Sequence, residues 1–249
     1  MNVTEILKAI DHRESPIPAG PWVMTQTWLE LLFAHWPIKP DALRPLIPSI
    51  LDIDTFEREA WVGVVPFHMR DIHPRWLPSI QGLSHFPELN VRTYVTVNGD
   101  RGVYFFSLDA GNPIAVAIAR SVFHLPYFNA RMSSERKGDT IHYSSHRTHR
   151  GAPRAEYSSR YRPTAPIQYS QNNTLAHWLT ERYSLYTTFH DHLYHGEIHH
   201  PQWPLQSAEL ETVRDTMALS HGIPLPNTAP LLHYSQRQEV LIWPLHRMM

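Results

Sequence analysis

The sequence predicts a mainly β fold of the α+β type, a closed antiparallel β-barrel or sandwich with a few decorating helices. About ten segments have the alternation, or the β-branched and aromatic content, of strands, and turn residues bound them. Helix signals are few by comparison. The 249 residues contain no repeat and no Gly/Ser linker. We therefore expect a single domain, 1–249, with an N-terminal extension at 1–20.

Composition and charge exclude several classes of function. The 22 basic and 23 acidic residues leave a formal charge of −1, which lacks the basic surface typical of proteins that bind nucleic acid or anionic membranes. No apolar run approaches the 18 or so residues of a membrane-spanning helix. The N-terminal residues lack the basic start and apolar core of a secretory signal, so we expect a cytoplasmic protein. The absence of cysteine excludes a disulfide framework and thiol chemistry.

Two hairpins are predicted in the first half of the chain. The clearer one joins strands 89–97 and 102–108 through Asn98-Gly99, a dipeptide that tolerates the positive φ angles of a tight primed turn. The other joins the β-rich runs 51–56 and 60–69 through three polar residues. These strands supply the first part of the predicted barrel.

One helix is predicted to be buried. Asn112 is a good N-cap, Pro113 suits the first helical turn, and the segment 112–123 is apolar on nearly all sides. The remaining predicted elements are helices at 41–47, 174–181 and 215–220, a hairpin of 127–135 with 140–148, and strands at 156–162, 182–188, 193–200, 205–213 and 238–244.

The strand at 86–95 is the most informative for function. Its alternation places one polar set on one face, Glu88, Asn90, Arg92 and Tyr94, and one mostly apolar set on the other, Leu89, Val91, Thr93 and Val95. The polar face either meets solvent, with a weak surface ion pair, or lines the lumen of a barrel. In a lumen, its carboxylate, amide and guanidinium would orient a carboxylate or carbonyl ligand.

A second candidate set lies at the end of the predicted buried helix. Arg120 and His124 share a helical face. A buried cation needs a partner, which predicts that Arg120 pairs with Glu88 or Asp109. The alternative is a structural cation that the dipole at the helix C-terminus favours.

A histidine-rich strand offers a candidate metal site. On a strand at 193–200, His195, Glu197 and His199 project from one face, and two imidazoles with a carboxylate could reach a metal ion. Exposed hairpin histidines are the alternative, because no HExxH motif is present and the chain has 18 histidines. We therefore predict no cofactor and keep this metal site as an alternative.

Several catalytic motifs are absent from the sequence. It contains no Gly-x-Ser-x-Gly elbow, no phosphate-binding glycine loop and no Gly-x-Gly-x-x-Gly fingerprint. The chain therefore lacks the local signatures of hydrolases with that elbow, of P-loop enzymes and of Rossmann enzymes.

A family resemblance spans residues 28–244. The sequence resembles the uncharacterised bacterial YqjF-like family in several stretches, which are Phe33-Ala-His-Trp36, Ala60-Trp-Val-Gly-Val-Val-Pro-Phe67, Phe86-Pro-Glu-Leu-Asn-Val-Arg-Thr-Tyr-Val95, Val103-Tyr-Phe-Phe-Ser-Leu-Asp109, Leu179-Thr-Glu-Arg-Tyr183, Gly196-Glu-Ile-His-His-Pro201 and Trp203-Pro-Leu-Gln206. The resemblance implies little about activity.

The chain is more distantly similar to the acetoacetate decarboxylase-like superfamily. That resemblance implies a β-barrel-like cone around an active-site cavity, and Phe86-Pro-Glu88 resembles the stretch that carries the superfamily's lumen glutamate. The decarboxylases form a Schiff base on a lysine, but the similar stretch here, Pro126-Tyr127-Phe128, has none. The chain's three lysines, Lys8, Lys39 and Lys137, do not match that position, so we do not expect imine-mediated decarboxylation.

Together these features predict a central cavity that binds a small oxygenated or carboxylated molecule. If the protein is an enzyme, we expect it to transform this molecule by acid–base chemistry of the lyase or isomerase type. The predicted roles are Glu88 as base, Arg92 or Arg120 as partner of a carboxylate or oxyanion, Tyr127 or His124 as acid, and Asn90, Tyr94, Tyr104 and Asp109 as substrate contacts. The alternatives are a non-catalytic binding or sensor protein and a metal-binding protein that uses 190–200. We expect no nucleic-acid or membrane partner, and a homo-oligomer stays open.

Overall fold

The computed structural model describes residues 2–76 and 84–248. Strands dominate it, and two short 3₁₀ turns lie at Arg44–Leu46 and Leu219–His221. The helices and strands are α1 (Val3–Lys8), β1 (Met24–Ile38), α2 (Pro40–Leu43), β2 (Asp52–Ile53), β3 (Ala60–Pro74), β4 (Phe86–Val97), β5 (Asp100–Ala110), α3 (Pro113–Val122), β6 (Tyr127–Lys137), β7 (Thr140–Arg147), β8 (Glu156–Pro163), α4 (Leu175–Thr180), β9 (Ser184–Phe189), β10 (His192–His199), β11 (Ala208–Asp215), β12 (Leu231–Ile242) and β13 (His246–Arg247).

Seven strands close a ring. Each strand in the order β4, β5, β9, β10, β12, β1 and β3 pairs with the next, and β3 pairs again with β4. The ring is not a regular barrel, because β9 runs parallel to β5 and β10 meets β12 through only two residue pairs. The predicted mainly β, barrel-like class is confirmed, although not every pairing is antiparallel.

A second sheet covers part of the outside of this ring. Strand β6 starts parallel to the end of β5 and then continues into the antiparallel order β6-β7-β8-β11. Its buried residues, including Tyr143 and Tyr161, pack with Leu32, Val64 and Leu89 of the ring. The strands β1, β3 and β4 therefore bury both faces, one against this sheet and one inside the ring.

The hairpin at Asn98-Gly99 is confirmed. Val97 pairs with Asp100, and both turn residues have positive φ angles, 52° for Asn98 and 85° for Gly99. A type I′ turn requires this geometry at both positions, and asparagine followed by glycine adopts it at low cost. The turn fixes the register of β4 against β5.

The predicted hairpin between 51–56 and 60–69 is confirmed only at its turn, where Phe56 pairs with Glu59 across Glu57-Arg58; its strands do not pair with each other. Strand β2 pairs with β4 through Asp52 and Ile53, whereas β3 pairs with β1 and β4. Strand β1 had no predicted counterpart. It carries a continuous apolar run because both of its faces are buried, and such a run lacks the alternation typical of a half-exposed strand.

Helix α3 begins as predicted but is not buried on all sides. The side chain of Asn112 accepts hydrogen bonds from the backbone N–H groups of Ile114 and Ala115. Val116 is buried, whereas Ile114, Ile118 and Val122 are exposed, because the helix packs on the ring along one face only. None of the helices in the described ranges has the length and apolarity needed to cross a membrane.

Candidate functional site

A cavity of about 260 Å³ lies inside the ring. Apolar side chains form most of its wall, among them Trp28, Phe33 and Phe67, and α3 contributes Ala115 and Ile118. Polar residues are a minority of the lining, and those with ionisable or amide side chains include Gln26, Glu88, Asn90, Arg92, Tyr127, Arg182 and His200. This composition is typical of a small-molecule site, where few polar groups orient an otherwise apolar ligand.

The alternation of β4 brings three predicted residues to this wall. Glu88, Asn90 and Arg92 line the cavity, whereas Leu89 and Val91 pack in the core between the two sheets. The pleat of the strand accounts for this division, since alternate side chains point to opposite faces. The structure therefore directs the polar face of this strand into the ring and not to solvent.

Glu88 is a buried carboxyl group with one side-chain hydrogen-bond partner. Tyr127, at the start of β6, donates its hydroxyl hydrogen to Oε2 of Glu88 at 3.0 Å. Burial raises the pKa of Glu88 to about 8; the Tyr127 hydrogen bond opposes this rise and nearby Asp109 adds to it. Among the described residues, no cation forms an ion pair with Glu88, so its carboxyl group is mostly protonated at neutral pH.

Arg92 lines the cavity and has no carboxylate partner among the described residues. Its guanidinium lies 5.1 Å from the ring centre of Phe33, and Nη2 donates to the Tyr94 hydroxyl at 3.5 Å. In the described part of the chain its Nε has no hydrogen-bond partner, and no carboxylate forms an ion pair with it. A buried donor of this kind is costly unless a ligand or water satisfies it.

A buried network supports Arg92 from behind. Tyr94 donates to the backbone oxygen of Leu179 at 2.9 Å, and the fully buried His35 places Nε2 2.7 Å from the Tyr94 hydroxyl. Gly63 lies opposite Arg92, and a Cβ atom there would approach the His35 ring to 3.0 Å. Glycine at this position therefore gives His35 the space to reach Tyr94.

Several polar residues of the wall were not predicted from the sequence, among them Gln26, Arg182 and His200. Arg182 donates Nη1 to Asp54 at 2.7 Å and Nε to the Trp178 carbonyl at 2.7 Å, and its Nη2 has no partner among the described groups. Burial lowers the pKa of His200 to about 3, so its imidazole is neutral. The only local sign of Arg182 in the sequence was a pair of adjacent charges, Glu181 and Arg182, within an apolar and aromatic segment. The sequence could not place Arg182 in the cavity wall, because tertiary packing sets the position of its loop.

The second predicted set does not converge on the cavity. Arg120 is exposed and donates to the backbone oxygen of Tyr127 at 2.7 Å, so its predicted pairing with Glu88 or Asp109 is wrong. Asp109 instead pairs with the fully buried Arg147 at 2.7 Å. His124 stacks on Phe189 with ring centres 4.1 Å apart and is not part of the cavity lining.

Two predicted substrate contacts also lie away from the wall. Tyr94 is fully buried behind Arg92, with its hydroxyl used by Leu179 and His35. Tyr104 is partly buried and packs against Phe106 at the core between the sheets. A one-residue register shift of β5 beside Arg92 pairs Arg92 with Phe105, which lines the cavity.

The predicted metal residues of β10 have separate partners. His195 lies 2.9 Å from Ser184 Oγ and 3.3 Å from Asp100 Oδ2. His199 uses both ring nitrogens, one 2.8 Å from the Ile6 carbonyl and the other 3.1 Å from Arg13. The structure therefore does not gather His195, Glu197 and His199 into one ligand set.

All three lysines of the chain are exposed. Lys8, Lys39 and Lys137 lie at the surface, and Lys137 pairs with Glu135 at 3.2 Å. An imine-forming lysine needs a desolvated pocket or a neighbouring cation that lowers its pKa. The cavity therefore lacks the amine that Schiff-base chemistry requires.

Comparisons with known proteins agree with this fold. Residues 25–239 match DUF2071, a family described as an uncharacterized conserved protein. The uncharacterized protein YqjF of Bacillus subtilis (strain 168) is 48% identical over 231 residues, which cover 93% of this chain and 95% of YqjF. The family resemblance seen in the sequence is thus confirmed.

Two solved structures share the architecture. Acetoacetate decarboxylase from Legionella pneumophila superposes with a TM-score of 0.63 at 13% identity, covering 98% of this chain and 95% of its own. The enduracididine biosynthesis enzyme MppR, solved with pyruvate, has a TM-score of 0.61 at 12% identity, covering 94% and 93%. At such identities the likeness concerns the fold alone. The chain belongs to the DUF2071 family and has an acetoacetate decarboxylase-like fold.

Proposed function

We propose that this protein binds a small organic monocarboxylate with an apolar body in the ring cavity. The observation that carries the proposal is Arg92, which lines an apolar cavity and has neither a carboxylate partner nor a hydrogen-bond partner for its Nε among the described residues. Guanidinium groups recognise carboxylates because their planar donors match the two oxygen atoms. The surrounding rings and aliphatic side chains fit an apolar body.

Other unsatisfied groups extend this chemistry. Asn90 Oδ1 has no hydrogen-bond partner in the described part of the chain and offers an acceptor for a hydroxyl group. Arg182 lines the same cavity; its charge is paired with Asp54, but its Nη2 has no hydrogen-bond partner among the described groups. A 2-oxo or 2-hydroxy acid presents oxygen atoms of this kind. MppR, which has a similar fold, was solved with pyruvate.

The pair of Glu88 and Tyr127 suits proton transfer. A carboxyl group with a pKa of about 8 can give up or take up a proton near neutral pH. The proposed reaction class is acid–base chemistry of the lyase or isomerase type, such as dehydration or isomerisation of the bound acid, without an imine. A non-catalytic binding protein, the second candidate, would use Arg92 in the same way and have no need of Glu88.

Calorimetry and melting temperature test the binding proposal. The melting temperature reports binding because any ligand of the native state raises it. The probes are pyruvate, 2-oxohexanoate and hexanoate, with 1-hexanol as the neutral control. We expect the acids to bind in preference to 1-hexanol and to bind less tightly as the pH rises through 8, where Glu88 gains negative charge.

Matched arginine variants locate the site. Arg92→Gln should weaken acid binding about tenfold or more, because a hydrogen bond to a charged group is lost. Arg120→Gln is the control, since this arginine is exposed outside the cavity, and its binding should be unchanged. Equal binding of hexanoate and 1-hexanol, no binding of any acid, or an unchanged affinity in Arg92→Gln would each contradict the proposal. For the enzyme, Glu88→Gln should keep binding and abolish turnover.

We propose a cytoplasmic protein whose partner is a small molecule, without a nucleic-acid or membrane partner. Self-association is tested by light scattering of the same purified protein.

A further inference from the structure

Three side chains from distant parts of the chain meet beside the cavity. His12 comes from the N-terminal segment 9–20, Glu181 follows α4, and His200 follows β10. One ligand atom from each of the three lies within 4.8 Å of the other two. We infer that His12, Glu181 and His200 form a binding site for a divalent transition-metal ion, with zinc as the first candidate.

His200 carries the observation that points to a ligand. It is fully buried, and its Nδ1 lies 2.8 Å from the Pro201 carbonyl, which fixes the proton on Nδ1. A longer contact, 3.4 Å, joins Nδ1 to the Gln238 amide, which already donates to the same carbonyl at 2.7 Å. Nε2 is then a bare lone pair, and in the described ranges it has no hydrogen-bond partner. A backbone carbonyl on the opposite ring nitrogen is the usual support of a metal-binding histidine.

His12 offers the second imidazole. Its Nε2 lies 2.9 Å from the backbone oxygen of His200 and donates to it, so the Nδ1 lone pair is left to bind a ligand. Its ring stacks on His199 with centres 6.2 Å apart. These contacts hold the imidazole of the N-terminal segment next to the residue with which it would share the ion.

Glu181 supplies the negative charge. Its Oε1 accepts a hydrogen bond from the Trp203 backbone N–H at 3.0 Å, and its Oε2 accepts one from the Tyr183 hydroxyl. Each carboxylate oxygen has two acceptor positions, so both bonds leave room for a metal ion. Within the described ranges no cation forms an ion pair with this buried carboxylate.

The donor set selects the class of ion. Two imidazoles and one carboxylate are the protein ligands of many catalytic zinc sites and of non-haem iron(II) sites. The charge of Arg13 opposes a cation here, but its guanidinium donates to the carbonyls of Ser15, Pro16 and Ile198. The ion would tie the N-terminal segment to the ring, so its binding should stabilise the folded protein.

The test measures metal uptake by untagged protein. Chelator-treated protein is titrated with Zn²⁺ alone and, separately, with Co²⁺, whose visible spectrum reports its coordination. We expect one ion per chain and a rise in melting temperature with Zn²⁺. No uptake, or uptake of several ions without a rise in melting temperature, would overturn the inference.

Variants separate this site from the other histidines of the chain. His12→Ala, at a half-buried position, and Glu181→Gln, which keeps the size of the side chain, should each weaken Zn²⁺ binding at least tenfold and lose the melting shift. His195→Ala is the control, because it removes a histidine of β10 outside the set, and its binding should match that of the parent. Unchanged affinity in His12→Ala and Glu181→Gln, or loss in His195→Ala alone, would contradict the assignment. Because His200 also lines the cavity, the hexanoate titrations are made on chelator-treated protein, so that the two proposals succeed or fail separately.

Discussion

Two buried carboxyl groups on paired strands show how differently the two faces of one sheet are used. Glu88 on β4 pairs with Ala110 of β5, and its neighbour Leu89 pairs with Asp109. Asp109 faces Arg147, which contacts it through Nε and Nη2 at 2.7 to 3.1 Å. Glu88 faces the cavity and has only the Tyr127 hydroxyl as a side-chain partner.

The paired carboxylate of Asp109 has a structural role, whereas the carboxyl group of Glu88, which has no cation partner among the described residues, is a candidate catalytic group. Both side chains of the Asp109–Arg147 pair are fully buried, and Arg147 Nη1 also contacts the Pro153 carbonyl and the Ser220 hydroxyl. Burial raises the pKa of Asp109, and the guanidinium of Arg147 limits that rise. Glu88 has no such cation among the described residues, so its pKa reaches about 8. A perturbed carboxyl group in a cavity is the more informative sign of function.

The largest expected effect comes from Arg147→Met. The substitution leaves the Asp109 carboxylate buried without a cation, which should lower the free energy of unfolding by about 3–5 kcal/mol. Urea denaturation at pH 7 measures the loss. The double variant Asp109→Leu/Arg147→Met should recover much of it, because both charges are then gone. A loss below about 1 kcal/mol in the single variant would show that the pair is not the structural contact described above.

Glu88→Gln should change the pH dependence of stability. In the unfolded chain Glu88 loses its proton near pH 4.5, whereas in the folded protein it keeps the proton up to about pH 8. Between these values the folded state binds one more proton, so the parent's free energy of unfolding falls as pH rises, by about 1.4 kcal/mol per pH unit from this group. The variant lacks this contribution.

Urea denaturation at pH 5, 6 and 7.5 tests that slope. The stability of Glu88→Gln relative to the parent should rise across the series by at most about 3 kcal/mol. Glu181, with a pKa of about 7, adds the same slope to both proteins and cancels in the difference. Parallel curves for the two proteins would mean that Glu88 ionises normally in the folded state.

The smallest expected effect belongs to Tyr127→Phe. The loss of one hydrogen bond should cost about 1 kcal/mol in unfolding free energy. It should also raise the pKa of Glu88 further, because the Tyr127 hydroxyl favours the charged carboxylate. NMR titration of the labelled glutamate carboxyl carbons measures this change.

Tyr143→Phe is the matched control for that measurement. Tyr143 donates its hydroxyl hydrogen to the backbone oxygen of Glu88 at 2.7 Å and not to its carboxyl group. It should lower stability by a similar amount with little change in the Glu88 titration. If both variants shift the titration equally, the hydrogen bond from Tyr127 is not what holds the pKa down.

The sequence predicted those turns, helix ends and strand faces that depend on residues close together in the chain. The Asn98-Gly99 turn, the Asn112 cap of α3 and the alternation of β4 follow from backbone sterics and the pleat, so they could be predicted from the chain alone. The same alternation identified Glu88, Asn90 and Arg92 as one face. The missing imine lysine was also evident, because it depends only on residue identity.

Only the tertiary structure decided which groups meet. Arg147 reaches Asp109 across 38 positions of sequence, and Arg182 reaches Asp54 across 128, distances over which no local pattern operates. The pairing of β2 with β4, the burial of both faces of β1 and the exposure of one side of α3 likewise depend on the second sheet and the ring. The sequence by itself determined which side chains share a face of β4. Packing decided that this face is the inner one, because burying the opposite face under the second sheet leaves the polar set to line the cavity.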